Sequence, residues 1–308
     1  MVQKSQVAGP RALAGLSRGG SGWAIRTGDC LEILRTMNRE SMHCCITSPP
    51  NWGLRDYGVA GQIGLEETPA KYVKRIVEVF REVRRVLRDD GTLWVHLGDS
   101  YAGSMRGSFK SDDAWDRFQA RVKRKGFSPG IRQRTPYQQH GINVPGLKAK
   151  DLVGIPWRVA LALQRDGWYL RQDIVYHKPN PTPEPVRDRC TSSHDYIFLL
   201  AKSHQYYFDA DAIAEPAVNG TDLRNRRSVW LVKATPTRGM HIAPTPLGLF
   251  SPCVLAGCPP GGYVLDPFSG TATTGLVSLE EGRRFFGIEL NPEYAATGRQ
   301  RLANLSSQ

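Results

Sequence analysis

The carboxyl-terminal segment 263–289 constrains the fold more than any other part of the chain. The short apolar run Tyr263–Leu265 predicts a buried strand, and a loop of mostly small residues follows at 266–275. The pattern then predicts a helix over Leu276–Glu281 and a second strand over Arg284–Ile288. Two strands joined through a helix by short loops are typical of a parallel βαβ unit. The sequence therefore predicts an α/β fold.

The loop within this unit has the features of a ligand-binding turn. Small residues between a strand and a helix let a ligand approach the backbone, and the helix N-terminus offers free N–H groups and a partial positive charge. Glu289 ends the second strand about 20 residues after Asp266, where a carboxylate often holds ribose hydroxyls. The loop lacks the Lys-Ser/Thr pair that binds nucleoside triphosphates. An adenosine-type cofactor is favoured over the alternative, a structural turn.

The amino-terminal half has the same strand–helix–strand character. The segment Pro69–Leu87 has apolar residues at spacings of three and four, which predicts an amphipathic helix. Asp89-Asp90-Gly91 is expected to end this helix before a strand over Thr92–Leu97. Further elements are strands at Trp23–Arg26, His43–Thr47, Tyr169–Tyr176 and Tyr196–Ala201, and helices at Cys30–Met37, Ile155–Arg165 and from Pro292. Val229–Val232 and the Pro-rich stretch after it lead to the unit at 263–289.

The charge of the chain is concentrated in one segment. Lys and Arg number 41 against 29 Asp and Glu, a formal net charge of +12. Between Tyr101 and Lys150, 11 basic residues occur with 3 acidic ones, a net charge of +8 by subtraction. This Gly- and Pro-rich stretch predicts contact with a polyanion, with a solvated charged loop as the alternative. The candidate contact residues are Arg106, Lys110, Arg117, Arg121, Lys123, Arg124, Lys125, Arg132 and Arg134, with weaker candidates at Lys178, Arg224, Arg226 and Arg227.

The cysteines indicate no metal site. They are Cys30, Cys44, Cys45, Cys190, Cys253 and Cys258. They form no C-x-x-C pair and no zinc-finger spacing with histidine, so we expect buried thiols in a reducing cytoplasm. Residues 1–16 lack the apolar stretch of a signal peptide, and no apolar run is long enough to cross a membrane.

A second motif, Thr47-Ser48-Pro49-Pro50-Asn51-Trp52, follows the strand His43–Thr47. Consecutive prolines fix φ and remove two N–H donors, which leaves a rigid edge of exposed carbonyls beside a serine hydroxyl. Such an edge can accept hydrogen bonds from an amino group. The alternative is a strand-terminating turn, because Pro-Pro pairs commonly interrupt regular structure.

Taken together, Thr-Ser-Pro-Pro and Asp-Pro-Phe-Ser-Gly-Thr-Ala-Thr-Thr-Gly resemble the catalytic and cofactor motifs of DNA amino-methyltransferases. The catalytic motif comes first in the chain, which is the order of the β class. The resemblance extends over 23–302 and includes Gly28–Glu32, Trp52–Tyr57, His241–Pro246 and Gly287–Asn291. It implies a permuted Rossmann-like fold, with a mostly parallel seven-stranded sheet and helices on both faces.

Composition, charge and the resemblance together divide the chain into five expected segments. Residues 1–22 would be a flexible tail, 23–100 the catalytic half, and 101–150 a basic insertion for DNA recognition. Residues 151–240 would complete the catalytic half with loops at the target site, and 241–308 would form the cofactor-binding half.

In this family the methyl donor is S-adenosylmethionine, and Glu289 would hold its ribose hydroxyls. By similarity, the residues in contact with the cofactor are Asp29, Cys30, His241, Ala243, Thr245, Asp266, Phe268, Ser269, Gly270, Thr273, Thr274 and Glu289.

The catalytic residues implied by the resemblance are Ser48, Pro49, Pro50 and Asn51. Hydrogen bonds from the target amino group to Ser48 Oγ and the Pro49 carbonyl would free the nitrogen lone pair for in-line methyl transfer. The target base lies inside duplex DNA, so it is expected to flip out and stack against the protein. Position 51 is normally aromatic in this family, and Trp52 is expected to point elsewhere.

Several alternatives stay open at this point. Serine before Pro-Pro is commoner in cytosine-N4 enzymes, and aspartate or asparagine in adenine-N6 enzymes, so cytosine N4 is favoured. The asparagine at position 51 has three possible explanations. The protein is an active enzyme that stacks the base in another way, a weakened enzyme, or a protein that binds DNA and cofactor without useful catalysis. Methylation of RNA or of protein amides is a further alternative. A partner restriction endonuclease and a solitary genome-marking role both fit the family.

Overall fold

An eight-stranded sheet forms the centre of the molecule. The computed structural model describes residues 22–102, 146–181, 184, 186–218, 220, 222–232 and 246–306. The strands in this part of the chain are β1 (Trp23–Thr27), β2 (Met42–Thr47), β3 (Leu87–Leu97), β4 (Tyr169–His177), β5 (His194–Ala201), β6 (Glu215–Pro216), β7 (Leu223–Arg224), β8 (Val229–Leu231), β9 (Tyr263–Asp266) and β10 (Arg284–Glu289). Strands β6 and β7 form a separate antiparallel pair.

The order of the strands in the large sheet is β1-β10-β9-β2-β3-β5-β4-β8. All pairs are parallel except those of β5, which runs antiparallel to both β3 and β4. The expected mostly parallel sheet is confirmed, but the expected number of seven strands is wrong. The additional strand is the short edge strand β8, in which Trp230 is buried and pairs with Tyr176 of β4.

Helices cover both faces of this sheet, as expected. They are α1 (Cys30–Thr36), α2 (Pro69–Val86), α3 (Ile155–Arg165), α4 (Leu247–Gly257), α5 (Thr273–Glu280) and α6 (Pro292–Ser306), with a short 3-10 helix at Asp211–Ile213. One apolar core joins α1, α2 and α3 to the sheet, and a second core joins α4, α5 and α6 to the opposite face. No helix in the described ranges combines the length and apolar character needed to cross a membrane.

Helix α2 has the amphipathic structure that its periodicity predicts. Thr68 caps its N-terminus by accepting a hydrogen bond from the Lys71 N–H (3.2 Å), and Pro69 occupies the first turn. The expectation that Asp89-Asp90-Gly91 separates this helix from the next strand is wrong. Strand β3 already begins at Leu87, and these residues form a bulge in which the register against β2 shifts.

Helix α4 was not expected from the sequence. Its residues are apolar on nearly all sides and include Pro252, so no amphipathic period marks it. It packs on β2 and β3 through its last residue, Gly257, whose carbonyl accepts a hydrogen bond from Thr92 Oγ1 (3.1 Å).

The cysteines are buried with one exception. Cys190 is exposed, contrary to expectation, because it lies in the Pro-containing loop between β4 and β5. Cys44 and Cys45 on β2 are fully buried, as expected, and burial raises the pKa of both thiols. They are therefore packing residues.

Replacing Gly257 with alanine is expected to lower the free energy of unfolding by about 1–3 kcal/mol. The added Cβ would overlap Trp94 Nε1 and lie 2.8 Å from Thr92 Oγ1, and these two buried groups are hydrogen-bonded to each other. Urea denaturation measures the loss. Gly248→Ala in the same helix is the control, because its Cβ would meet only Val232 at an ordinary 3.7 Å. Equal losses for both substitutions would contradict this account.

Candidate active site

The predicted catalytic and cofactor motifs lie at the same edge of the sheet. Strands β1, β10, β9, β2 and β3 are consecutive and parallel, so their carboxyl ends point the same way. Asp29 and Ser48 follow β1 and β2, whereas Asp266 and Glu289 end β9 and β10. In open α/β sheets, ligands bind beyond the carboxyl ends of the strands.

A buried carboxylate joins the two motifs. Thr47 Oγ1 donates a hydrogen bond to Asp266 Oδ1 (2.6 Å) across 219 residues of sequence. Asp266 also accepts from Thr274 Oγ1 (2.7 Å) and from the Phe268 N–H (3.0 Å). Its side chain is only 3% exposed, and this burial raises its pKa to about 6 despite the three donors. Asp266 therefore organises the loop from within.

Glu289 fixes the other side of the loop. Its Oε2 accepts from the Gly270 N–H and its Oε1 from the Asn291 N–H, both at 2.8 Å. Burial raises the pKa of Glu289, while these two backbone donors favour its charged form. Gly287 beneath the loop admits no side chain, because a Cβ there would lie 2.9 Å from the Ser269 Cβ.

Two features of this loop fit an adenosine-type cofactor. Each oxygen of the Glu289 carboxylate accepts one backbone hydrogen bond and keeps a further lone pair for a hydroxyl donor. Ser269 Oγ is buried and has no hydrogen-bond partner among the described residues. Unpaired buried hydroxyls are uncommon in folded proteins, so this one fits a role toward a bound group.

Asp29 and Cys30 lie beside Glu289 at the end of β1, because the Gly28 N–H donates to the Glu289 carbonyl (2.9 Å). Asp29 caps α1 by accepting from the Glu32 N–H (3.0 Å). Burial raises the pKa of the Cys30 thiol to about 12, so it stays protonated and is not a nucleophile.

The Ser-Pro-Pro loop is held by bonds to neighbouring elements. Asn51 Oδ1 accepts from the Gly98 N–H (3.1 Å), which ties the loop to the end of β3. The Pro50 carbonyl, one of the carbonyls of the expected edge, accepts from Tyr72 Oη on α2 (2.9 Å), which ties the loop to that helix. Ser48 is half-buried.

Trp52 points away from this edge, as expected. It is 4% exposed, packs in the core with α1 and α2, and donates from its indole nitrogen to the Glu66 carbonyl (2.8 Å). Neither Asn51 nor Trp52 presents an aromatic face here.

A polar chain behind Ser48 was not found from the sequence. Ser48 Oγ lies 3.1 Å from His96 Nδ1, and His96 Nε2 lies 3.2 Å from Asp195 Oδ2. Lys178 forms an ion pair with the same carboxylate oxygen. A histidine within the buried run of β3 was the available signal, but Asp195 and Lys178 are brought to it only by the pairing of β3, β5 and β4.

Several predicted residues lie outside the part of the chain that the structure describes. They are the cofactor candidates His241, Ala243 and Thr245 and the basic candidates Arg106, Lys110, Arg117, Arg121, Lys123, Arg124, Lys125, Arg132 and Arg134.

The remaining basic candidates are described and have partners within the protein. Arg224 and Arg227 both pair with Glu215, and the Arg226 guanidinium lies 5.0 Å from the centre of the Trp230 ring. These contacts hold the short β6–β7 pair beside β8.

Comparison with known proteins gives consistent matches. The family model described as DNA methylase, N6_N4_Mtase, matches residues 42–300. The chain is 48% identical over 282 residues to the Type II methyltransferase M.Cfr9I of Citrobacter freundii, covering 92% of this chain and 88% of that one.

Two solved structures share the fold. The PvuII DNA methyltransferase (cytosine-N4-specific) has a TM-score of 0.63 at 18% identity, covering 92% of this chain and 91% of that one. The putative DNA modification methylase TTHA0409 of Thermus thermophilus, in complex with S-adenosylmethionine, has a TM-score of 0.57 at 23% identity, covering 91% and 94%.

The raised pKa of Asp266 predicts a pH-dependent stability. Its ordinary value is 3.8 and the folded value is about 6, so the folded state holds the proton more tightly than the unfolded chain does. The stability from the protonated carboxyl is fully present below about pH 4 and is lost as pH rises through about 6. Relative to Asp266→Asn, the wild-type protein should lose up to about 3 kcal/mol of unfolding free energy over this range.

Urea unfolding between pH 4 and 7 measures this difference. The exposed Asp222→Asn variant serves as the control, and its curve should run parallel to that of the wild type. If the Asp266→Asn curve is parallel as well, Asp266 does not carry the raised pKa.

Proposed function

The chain belongs to the N6/N4 DNA methylase family and is an S-adenosylmethionine-dependent DNA methyltransferase, and on this premise we propose its target and its catalytic residues. The target is the exocyclic N4 amino group of a cytosine that is flipped out of duplex DNA. M.Cfr9I is a Type II methyltransferase by name, which supports a role as the modification half of a restriction–modification pair.

The hydrogen bond between Thr47 and Asp266 is the observation that carries this proposal. Thr47 is the last residue of β2, so its bond holds Ser48 next to the loop that begins at Asp266. A target nitrogen bonded to Ser48 is then adjacent to a methyl donor in that loop. Methyl transfer needs mainly such positioning, because aligning two reactants removes a large entropic part of the barrier.

Each candidate residue has a part in this arrangement. Bound S-adenosylmethionine supplies an activated methyl group, and Glu289 accepts from its ribose hydroxyls. Asp266, Phe268, Ser269, Gly270, Thr273 and Thr274 shape the loop around it, with Asp29 and Cys30 on the adjoining strand edge and His241, Ala243 and Thr245 from the segment before α4. Ser48 Oγ and the Pro49 carbonyl accept from the two N–H groups of the target nitrogen, which favours the tetrahedral geometry that frees its lone pair.

The choice of cytosine N4 rests on Ser48. Serine is commoner before Pro-Pro in cytosine-N4 enzymes, whereas aspartate or asparagine is commoner there in adenine-N6 enzymes. Adenine N6 is the alternative target.

The basic segment supports duplex DNA as the substrate. The 11 basic residues against 3 acidic ones between Tyr101 and Lys150 suit a phosphate backbone, and an arginine among them could read guanine in the major groove. Lys178 is a separate case, because its ammonium is engaged by Asp195.

Asn51 favours a second candidate function, a protein that binds DNA and cofactor with weak catalysis. Its carboxamide is engaged with the Gly98 N–H and supplies no stacking face for a flipped base. Stacking on an aromatic side chain contributes about 1–3 kcal/mol per base. We propose instead that Asn51 anchors the loop that carries Ser48 and that the enzyme is active.

The proposed reaction is tested by incubating the protein with labelled S-adenosylmethionine and varied duplex DNA, followed by mass spectrometry of the nucleosides. N4-methylcytosine is expected. N6-methyladenine alone would overturn the target base. Cofactor binding without any methylated nucleoside would favour the second candidate function.

Ser48→Ala is expected to lower the rate of methyl transfer by about 100-fold or more, because it removes an acceptor for the target amino group. The affinity for S-adenosylmethionine, measured by calorimetry, should stay nearly unchanged. Ser41→Ala, just before the other end of β2, is the matched control, because Ser41 Oγ donates to the Asn38 carbonyl at the edge of the sheet opposite the site. A collapse of cofactor affinity in Ser48→Ala would mean that Ser48 does not lie at the target.

Asn51→Phe restores the aromatic residue that is usual in this family, and we expect it to lower activity. The Gly98 N–H would lose its acceptor, at a cost of about 1–3 kcal/mol, and the Ser48 loop would loosen. The melting temperature and the rate of methyl transfer measure the effect. If Asn51→Phe methylates faster than the wild-type protein and is equally stable, Asn51 does not anchor the loop, and the wild-type protein instead lacks an aromatic face for the target base.

A further inference from the structure

In the polar chain Ser48–His96–Asp195–Lys178, only Ser48 has a part in the reaction as described so far. Building on the proposed function, we propose that His96 controls the hydrogen-bond direction of Ser48 and accepts the proton that methyl transfer releases. Asp195 and Lys178 would orient the imidazole for this role.

The sheet itself assembles this chain. His96 of β3 pairs with Ile197 of β5, and Asp195 of β5 pairs with Tyr176 of β4. Alternation along the strands places the side chains of His96, Asp195 and Tyr176 on the same face of the sheet. Lys178 directly follows β4, and Ser48 directly follows β2 on the other side of β3. Four strands thus contribute to a single row of polar groups.

The direction of the hydrogen bonds along this row follows from the charged carboxylate of Asp195. A carboxylate only accepts hydrogen bonds, so the hydrogen on the imidazole lies on Nε2, which donates to Asp195 (3.2 Å). Burial acts to raise the pKa of Asp195, but the hydrogen bond from His96 and the charge of Lys178 outweigh it and hold the pKa below its usual value. Asp195 therefore stays charged and keeps this tautomer in place.

With its hydrogen on Nε2, the imidazole offers a lone pair on Nδ1 to Ser48. The Ser48 hydroxyl then donates to Nδ1 (3.1 Å), and both of its remaining lone pairs are free for the N–H of a target amino group. A proton on Nδ1 would reverse this bond, because Nδ1–H would donate to Ser48 Oγ. The serine hydrogen would then point at the target and meet another donor. Only neutral His96 leaves Ser48 as an acceptor.

The same chain accounts for the proton. In the reaction, a nitrogen–carbon bond forms and the carbon–sulfur bond breaks with its electron pair going to sulfur, so the sulfonium becomes a neutral thioether. The nitrogen gains a positive charge and must lose one proton. Ser48 Oγ takes this proton while its own hydrogen passes to His96 Nδ1, and the resulting imidazolium is stabilised by the Asp195 carboxylate. Serine hydrolases use the same three residue types, in which histidine takes a proton from serine and aspartate stabilises the imidazolium. Here the proton would come from the methylated amino group by way of Ser48.

Aromatic rings pack against the imidazole of His96, which is 9% exposed. Tyr176 lies edge-on at 5.9 Å and Phe250 of α4 at 6.3 Å between ring centres. The ionisable groups that the described residues place against the imidazole or its carboxylate partner are Asp195, Lys178 and Tyr176. Burial raises the pKa of Tyr176, and the nearby Asp195 adds to this, so the phenol stays neutral.

A buried histidine with satisfied hydrogen bonds can also be a purely structural residue. Three variants separate the two roles. His96→Asn keeps an acceptor close to the position of Nδ1 but cannot titrate, His96→Ala removes the acceptor, and Asp195→Asn removes the charge that sets the tautomer. His204→Asn is the matched control, because His204 is exposed beyond the far end of β5.

The first measurement is the single-turnover rate of methyl transfer between pH 5 and 9, with labelled S-adenosylmethionine and the DNA on which the wild-type protein acts. The wild-type rate should fall about tenfold per pH unit on an acidic limb, and His204→Asn should behave in the same way. His96→Asn should lack this limb, and His96→Ala should be about 100-fold slower at neutral pH. An unchanged acidic limb in His96→Asn would overturn the proposal.

The second measurement is nitrogen-15 NMR of the full chain labelled in histidine, which requires no turnover. The His96 signal, assigned by its loss in His96→Asn, should report hydrogen on Nε2 at pH 8 and a mixture of tautomers in Asp195→Asn. Hydrogen on Nδ1 in the wild-type protein would overturn the proposal. If the wild-type protein methylates no DNA, the target proposed above fails, whereas the NMR result still decides the direction of the hydrogen bond.

Discussion

The buried carboxylate of Asp266 is the interaction on which the rest of the site depends. It accepts hydrogen bonds from the end of β2 through Thr47, from the start of α5 through Thr274, and from its own loop through Phe268. Burying a carboxylate is costly unless donors surround it, and the raised pKa near 6 shows that this cost is only partly offset. This unfavourable burial occurs where the Ser-Pro-Pro loop and the loop that begins at Asp266 are held together.

A second polar constraint lies on the other side of Ser48. Thr47 ties the strand before it to the cofactor loop, while His96 reaches the Ser48 hydroxyl itself from β3. Asn51 then anchors the loop after the prolines to the end of β3. Contacts from three directions thus fix the position of the Ser48 oxygen. The direction in which its O–H bond points is not fixed by these contacts alone. That direction is what His96 would control.

The sequence was a good guide to elements with a clear local pattern and a poor guide to those without one. Helix α2 and the βαβ unit ending at Glu289 were predicted within a few residues, because periodicity and turn chemistry are local properties. Helix α4 was missed because it is apolar all round, and the bulge in β3 was missed because Asp-Asp-Gly ordinarily forms a turn. The eighth strand escaped the expected count because only its pairing with β4 identifies it.

By itself, the sequence determined the α/β class, the Ser-Pro-Pro and Asp-Pro-Phe motifs, and the carboxylate Glu289 at a strand end, since each is written in neighbouring residues. Only the tertiary structure decided that Thr47 bonds Asp266, that Asn51 is engaged with the Gly98 N–H, and that His96 and Asp195 stand behind Ser48. The physical reason is strand order. Hydrogen bonds between side chains depend on which strands are neighbours, and that arrangement is set by packing across the whole sheet.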